Sequence, residues 1–244
     1  MSYVAKKGRQ AAESANEEKA DVSQVLRSLK SGSSFKVRVP STEDFVEYFA
    51  HGVFGKFYTT PCTKPGGEED YYDKAVDHLY TKVNEEEDED KKQVLRDQAY
   101  QLKAKPRYLF GFINLEDGLP LIVDLTKNQA KSVISAIDKY TKKIGTFPFE
   151  LSKEGMKMAT KVSLTPVIDE DDLTEQERKH FESTAGKAFD DLLYEKVLKV
   201  RKEEEQIEDL KAFGFDVRKL GVEDEVTPIE DEGQGDNGDD NYPF

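Results

Sequence analysis

Cysteine, histidine and tryptophan are scarce in this chain of 244 residues, which contains one cysteine, three histidines and no tryptophan. With Cys62 alone, an intramolecular disulfide and a metal site built from several cysteines are both excluded, and a reducing cytoplasm fits this composition. No apolar run approaches the roughly 18 residues of a membrane span, and the first residues lack the apolar segment of a secretory signal. We therefore expect a soluble, cytoplasmic protein with no membrane partner.

Catalytic motifs are missing as well. His51, His78 and His180 are scattered, and the sequence has no Walker loop, His-Glu-x-x-His motif or nucleophile elbow. The acidic run from Glu85 to Asp90 lies at a predicted helix end, where exposed carboxylates do not come together into a catalytic metal site. We expect no enzymatic activity and no cofactor.

Charge is abundant, but its two signs are segregated along the chain. The net charge is −14, and residues 221–244 contribute nine acids with no Lys or Arg. Residues 68–102 hold twelve acids against five bases, whereas residues 103–165 hold eleven bases against six acids. This distribution is typical of a basic binding surface and an acidic tail in one molecule.

Hydrophobic periodicity predicts a mainly β protein with helical additions. Five or more strands with a helix before the last pair are compatible with an OB-fold, a five-stranded Greek-key barrel. The predicted parts are a basic N-terminal arm and short helix (1–30), the barrel core (31–168), an inserted helical hairpin (66–104), a C-terminal helical segment (169–220) and a disordered acidic tail (221–244).

One long amphipathic helix is predicted from Asp172 to Leu210. It begins with a capping-box pattern, Thr174 followed by Glu177. Its apolar stripe packs against the barrel in the simplest interpretation. The alternative is a surface for a partner or for self-association.

Cations and aromatic rings alternate on the predicted strands. Such sets bind single strands, because cations follow the phosphates while flat rings stack on bases at about 1 to 3 kcal/mol per base. Without tryptophan, stacking depends on Tyr and Phe. Phe110 and Phe112 serve equally well as core residues. The candidate DNA-binding residues are Lys36, Arg38, Phe54, Lys56, Phe57, Tyr58, Lys103, Lys105, Arg107, Tyr108, Phe110, Phe112, Lys142 and Lys143.

The last six residues, Asp-Asp-Asn-Tyr-Pro-Phe, form a distinctive motif. An acidic disordered segment of this kind can insert an aromatic side chain into a pocket while its acids contact a basic rim. It resembles the C-terminal peptide of bacterial single-stranded DNA-binding proteins, which recruits partner proteins. The alternative is a tail that only solubilises the protein. The predicted partner-binding residues are Asp239, Asp240, Tyr242, Pro243 and Phe244.

A second resemblance covers roughly residues 30–168. The motifs that carry it are Phe35 to Val39, His51-Gly52, Lys56-Phe57-Tyr58 with Cys62, Lys105 to Ile113, a Lys-rich helix, and Val162 to Pro166. Their order is similar to that in the helix-destabilising single-stranded DNA-binding proteins of T-even phages. The resemblance implies an OB-fold, location in the host cytoplasm, an acidic tail, and a basic arm for cooperative binding, here Lys6, Lys7 and Arg9.

One departure from that family concerns zinc. The phage proteins carry a zinc knuckle with several cysteines and a histidine in the insert, whereas this chain has Cys62 alone there. Since structural zinc takes four ligands, we predict no zinc and an acidic helical hairpin in place of the knuckle.

The sequence therefore predicts a sequence-independent single-stranded DNA-binding protein. It protects single strands, self-associates along them, and recruits replication, recombination and repair proteins through its tail. A protein-interaction adaptor or DNA mimic is the first alternative. A single-strand annealing protein is the second.

Overall fold

The computed structural model describes residues 22–155 and 159–222, and its centre is one antiparallel sheet. The predicted arm (Lys6, Lys7, Arg9) and the predicted partner-binding residues 239–244 lie outside the described residues. The seven strands are β1 (Ser33–Arg38), β2 (Phe45–Val53), β3 (Phe57–Pro61), β4 (Lys105–Asn114), β5 (Pro120–Thr126), β6 (Pro148–Glu154) and β7 (Lys161–Pro166).

The sheet curls into a half-barrel around β4. Its order is β3-β2-β4-β1-β6-β7, and β5 pairs with β4 outside this path. One edge of β4 pairs first with β2 and then with β1, while its other edge pairs with β5. Asp117-Gly118, a dipeptide typical of hairpin turns, lies in the turn between β4 and β5, and Gly118 adopts a φ of 72° that favours glycine.

The main core lies between this sheet and helix α4 (Lys127–Lys139). The helix turns Ala130, Val133 and Ile137 inward at helical spacing. Phe110 and Phe112 project from β4 into the same core, where their rings stack with centroids 6.3 Å apart. The sequence-based assignment of this helix and these strands is therefore confirmed.

The predicted helical hairpin is also present, as α2 (Tyr71–Glu85) and α3 (Glu89–Leu102). Asp70 and Asp88 cap the two helices by accepting backbone hydrogen bonds from their first turns. A second hydrophobic core forms between this hairpin and the end of the described chain.

The predicted single helix from Asp172 to Leu210 is wrong, because the structure divides this segment into three helices. They are α5 (Glu175–Ser183), α6 (Leu192–Val197) and α7 (Glu203–Phe213); a short α1 (Val22–Val25) precedes β1. Each helix packs on a different part of the protein. Thr174 and Glu177 do form the capping box of α5, α6 packs near β4 and β5, and α7 covers the inserted hairpin.

The architecture is thus mixed α and β, with seven strands in a curled antiparallel half-barrel. The helices that follow β7 connect the sheet to the inserted hairpin. Across residues 22–155 and 159–222, no helix has both the length and the apolar character needed to cross a membrane.

Candidate nucleic-acid interface

A groove of about 350 Å³ opens where the inserted hairpin meets the sheet. Its walls come from the end of α3, the paired segment of β2 and β3 around Gly52, the start of β4 and the start of α4. Three cations line it, Lys105, Arg107 and Lys127, together with Tyr100. None of its eleven lining residues is acidic, although acids outnumber bases by 14 in the chain.

The groove cations differ in their ion pairing. Arg107 Nε donates to Asp124 at 2.9 Å, and Tyr48 donates to the same carboxylate at 3.0 Å. Burial alone would lower the pKa of Arg107, but Asp124 raises it overall, so the guanidinium remains charged. Lys127 forms no ion pair with any described residue.

Tyr100 is the aromatic wall of the groove, with 66% of the residue exposed. The Lys105 ammonium lies 4.6 Å from the centre of its ring. The groove therefore places an ammonium group, which can contact a phosphate, next to an exposed ring on which a base can stack.

The β2–β3 hairpin extends this surface into solvent. Gly52 and Thr59 of this hairpin line the groove, and a Cβ on Gly52 would lie 3.1 Å from Thr59 Cα, so glycine allows the strands to approach closely. Phe54 and Tyr58, further along the hairpin, are almost fully exposed, and Lys56 lies between them. These three predicted residues are therefore accessible next to the groove.

Four predicted DNA-binding residues are corrected to interior positions: Arg38, Phe57, Phe110 and Phe112. The Arg38 guanidinium donates to the carbonyls of Gly145 and Phe181 and lies over the Phe181 ring. Because strand alternation placed Phe110 and Phe112 on the face that α4 covers, both became core residues. Phe57 stacks on Tyr72 in the second core, with ring centroids 5.1 Å apart.

Two further predicted residues are engaged elsewhere. Lys36 donates to the Asp172 carbonyl and lies 3.4 Å from a Glu177 oxygen, which places it under the C-terminal segment. The Tyr108 hydroxyl donates to Glu47 at 2.6 Å. Neither side chain lines the groove.

The remaining predicted lysines lie away from the groove lining. Lys103 is exposed two residues before Lys105, but it lines a different cavity, beside Tyr80. Lys142 and Lys143 follow the far end of α4, roughly 20 Å along the helix from Lys127 at 1.5 Å per residue. The groove therefore brings together two residues of the prediction, Lys105 and Arg107.

Sequence reasoning missed Tyr100, Lys127 and Asn128. Tyr100 follows the buried Ala99 but does not belong to the apolar stripe of its helix. A tyrosine exposed in an acidic segment was the signal that could have indicated a binding role. Lys127 and Asn128 lie in the first turn of α4, whose unpaired backbone N–H groups carry partial positive charge. Their position opposite β4 depends on the tertiary structure.

A second cleft, of about 830 Å³, has the opposite sign. Five carboxylates line it and no Lys or Arg does: Glu43, Glu47, Glu68, Asp191 and Glu195. Phosphates are repelled from such a surface. The charge segregation of the sequence is therefore also a segregation between two clefts.

A cluster of metal-ligating groups lies directly behind the groove wall. It consists of His51, which also lines the groove, with Cys62, Asp70 and Asp73, and its donor atoms all lie within 4.8 Å of one another. The prediction of no zinc was based on the number of cysteines, and it overlooked aspartates. Since His51 Nε2 is fully buried without a hydrogen-bond partner, the residues present fit a divalent ion.

No protein-family model and no curated protein matches this chain. What the two clefts bind must therefore be inferred from their own side chains. The groove offers cations and an exposed ring to an anionic, aromatic ligand, while the charged groups that line the acidic cleft are all carboxylates.

Proposed function

We propose that the protein binds single-stranded DNA, without sequence preference, in the groove between α3 and the β2–β4 sheet. The observation that carries this proposal is a groove lined by three cations, an exposed tyrosine and no acid, in a protein of net charge −14. An anionic ligand gains Coulomb energy in this groove, whereas the carboxylates of the acidic cleft would repel it.

The groove chemistry suits a single strand better than a duplex. Lys105 and Lys127, which both line the groove, contact phosphates, and the positive end of α4 adds partial charge beside Lys127. Tyr100 stacks on one base, and the exposed Phe54 and Tyr58 rings extend the stacking surface along the hairpin. In a duplex the bases are already stacked on each other, so these rings would have no partner.

The fold supports the same proposal. We infer that the curled sheet is an OB-type Greek-key barrel, a fold that commonly binds oligonucleotides on one sheet face. By analogy with the two resemblances in the sequence, residues 239–244 recruit replication, recombination and repair proteins, and residues 1–30 promote self-association along the strand.

Fluorescence anisotropy with a labelled oligo-dT at low salt tests the binding proposal. We expect the anisotropy to rise at micromolar protein. The Lys105→Ala, Lys127→Ala double variant should bind the oligonucleotide roughly tenfold more weakly, or worse. Lys187→Ala is the matched control, because it removes one exposed cation from the loop before Phe189. Absence of binding by the wild-type protein would overturn the proposal.

A protein-interaction adaptor is the second candidate function, and the acidic cleft favours it. Its five carboxylates fit a basic peptide segment. On this account a Glu47→Gln, Glu195→Gln double variant loses binding to a basic peptide but keeps its affinity for oligo-dT. The two functions are separable, since the groove and the acidic cleft share no lining residue.

A further inference from the structure

The cluster of His51, Cys62, Asp70 and Asp73 is built from three different elements. His51 is on β2, Cys62 follows β3, and Asp70 and Asp73 are the N-cap and the first turn of α2. His51 and the Asp70 side chain are essentially inaccessible to solvent, with relative exposures of 0% and 1%. A buried imidazole and two carboxylates, which are costly to bury, thus converge with a half-buried thiol.

The orientation of the imidazole is fixed from behind. His51 Nδ1 lies 2.7 Å from the Leu102 carbonyl oxygen, and since a carbonyl only accepts, Nδ1 carries the proton. In the neutral form of the ring, Nε2 directs its lone pair into the cluster, whereas in the imidazolium form it directs an N–H there. A histidine held through its second nitrogen by a backbone carbonyl is the usual arrangement of a metal ligand.

Two carboxylates face that lone pair. Nε2 lies 3.3 Å from Asp70 Oδ2 and 3.8 Å from Asp73 Oδ1, and it forms no hydrogen bond. Asp70 Oδ1 accepts from the backbone N–H of Asp73 at 2.8 Å, which directs Oδ2 toward the ring. A lone pair and two anionic oxygens repel each other, so this point of the cluster calls for a positive charge, either a bound cation or a proton on Nε2.

Cys62 completes the set with a soft donor. Its Sγ lies 3.4 Å from Asp73 Oδ2. Tetrahedral zinc with ligand distances near 2.0 to 2.3 Å places its donors roughly 3.3 to 3.8 Å apart. The three spacings given above lie within that range, two of them to different oxygens of Asp73, and the four donor atoms all lie within 4.8 Å of one another.

We propose that His51, Cys62, Asp70 and Asp73 bind a divalent transition-metal ion, with Zn²⁺ the best match. Ca²⁺ and Mg²⁺ take oxygen ligands, whereas one imidazole, one thiolate and two carboxylates suit Zn²⁺ or Co²⁺. Binding displaces the Cys62 thiol proton to solvent. This proposal replaces the expectation, drawn from a single cysteine, that the chain binds no metal.

The ion would cross-link the β2–β3 hairpin to the inserted hairpin. The Leu102 carbonyl, at the end of α3, holds the ligand His51 in place, and Tyr72 of α2 stacks on the same imidazole at 4.9 Å. The competing arrangement is a metal-free ion pair between an imidazolium and Asp70. The two arrangements differ in what the cluster does with added metal.

Cobalt titration of the chelator-treated, full-length protein distinguishes the two arrangements. We expect stoichiometric Co²⁺ uptake with the intense visible bands of a tetrahedral site and a thiolate-to-cobalt charge-transfer band in the near ultraviolet. Zn²⁺ added afterwards should bleach both, and the melting temperature should rise with Zn²⁺. Weak octahedral bands, or no uptake, would overturn the proposal and establish the ion pair.

Variants assign the bands to residues. Cys62→Ser should abolish the charge-transfer band, and His51→Gln should abolish stoichiometric uptake. His78→Gln is the matched control, because His78 Nε2 is also buried without a partner but lies outside the cluster. A Cys62→Ser protein that keeps the charge-transfer band contradicts the ligand assignment, and if a variant fails to fold, the wild-type spectrum decides.

Discussion

The Lys105 ammonium lies 4.6 Å from the centre of the Tyr100 ring, so strand β4 and helix α3 meet across the groove. The two residues are close in sequence but belong to different elements, since the helix ends at Leu102 and the strand begins at Lys105. The inserted hairpin therefore contributes the aromatic wall and the sheet contributes the charge. Neither alone presents both features to a ligand.

Tyr100 is expected to contribute to binding through its ring. Tyr100→Ala should weaken oligo-dT binding by about 5- to 150-fold, the equivalent of 1 to 3 kcal/mol for one stacked base. Tyr100→Phe should bind like the wild type, since the ring remains. Tyr80→Ala is the control, because Tyr80 belongs to the same hairpin and faces another cavity; equal losses in both alanine variants would refute a specific role for Tyr100.

Lys127 is expected to contact one phosphate. Lys127→Ala should reduce the slope of log binding constant against log salt concentration by about 0.7, the value for one contact on a single strand. Equilibrium binding at four or five salt concentrations measures this slope. Lys187→Ala should leave the slope unchanged, and an unchanged slope in Lys127→Ala would remove that residue from the interface.

The acidic residues 221–244 are expected to compete with DNA for the groove. Deleting them removes nine acids, and it should tighten binding at low salt and steepen the salt dependence. A full-length control in which these acids become Asn and Gln separates charge from chain length. If affinity does not change in either protein, the tail does not occupy the groove.

Arg38 is expected to act in stability rather than in binding. Arg38→Ala leaves the buried carbonyls of Gly145 and Phe181 without their donor, at a cost of about 1 to 3 kcal/mol in unfolding free energy. Urea unfolding measures this loss. The folded variant should bind oligo-dT with the affinity of the wild type. A loss of affinity in a variant that remains folded would show that Arg38 takes part in binding.

Gly111 is expected to be essential for attaching the C-terminal segment to β4. A Cβ there would lie 2.4 Å from the Tyr194 hydroxyl and 2.6 Å from the Phe189 ring, so Gly111→Ala should destabilise the protein by about 1 to 3 kcal/mol. Gly66→Ala is the control, since no atom lies within 4 Å of the corresponding Cβ. Equal stability of the two variants in thermal unfolding would contradict this packing.

Much of the fold could be predicted from local patterns. Period-two alternation located β1 and β4, Asp117-Gly118 located the hairpin between β4 and β5, and helical spacing located α2, α3 and α4. The division of residues 174–213 into three helices could not be predicted, because their apolar residues follow one helical stripe in sequence. They pack on three different surfaces that only the folded sheet and hairpin provide.

The sequence by itself determined the segregation of charge, the alternation of rings and cations on strands, and the helical insert, since each depends on residues that are neighbours in the chain. The tertiary structure decided which of those residues are accessible. Alternation shows that Tyr108, Phe110 and Phe112 share a face, but the packing of α4 determines that this face is interior. The pairing of β2 with β3, and their packing against α2, likewise brought His51, Cys62 and two aspartates together across 22 residues of sequence, because distance along a chain does not limit contact once strands and helices pack.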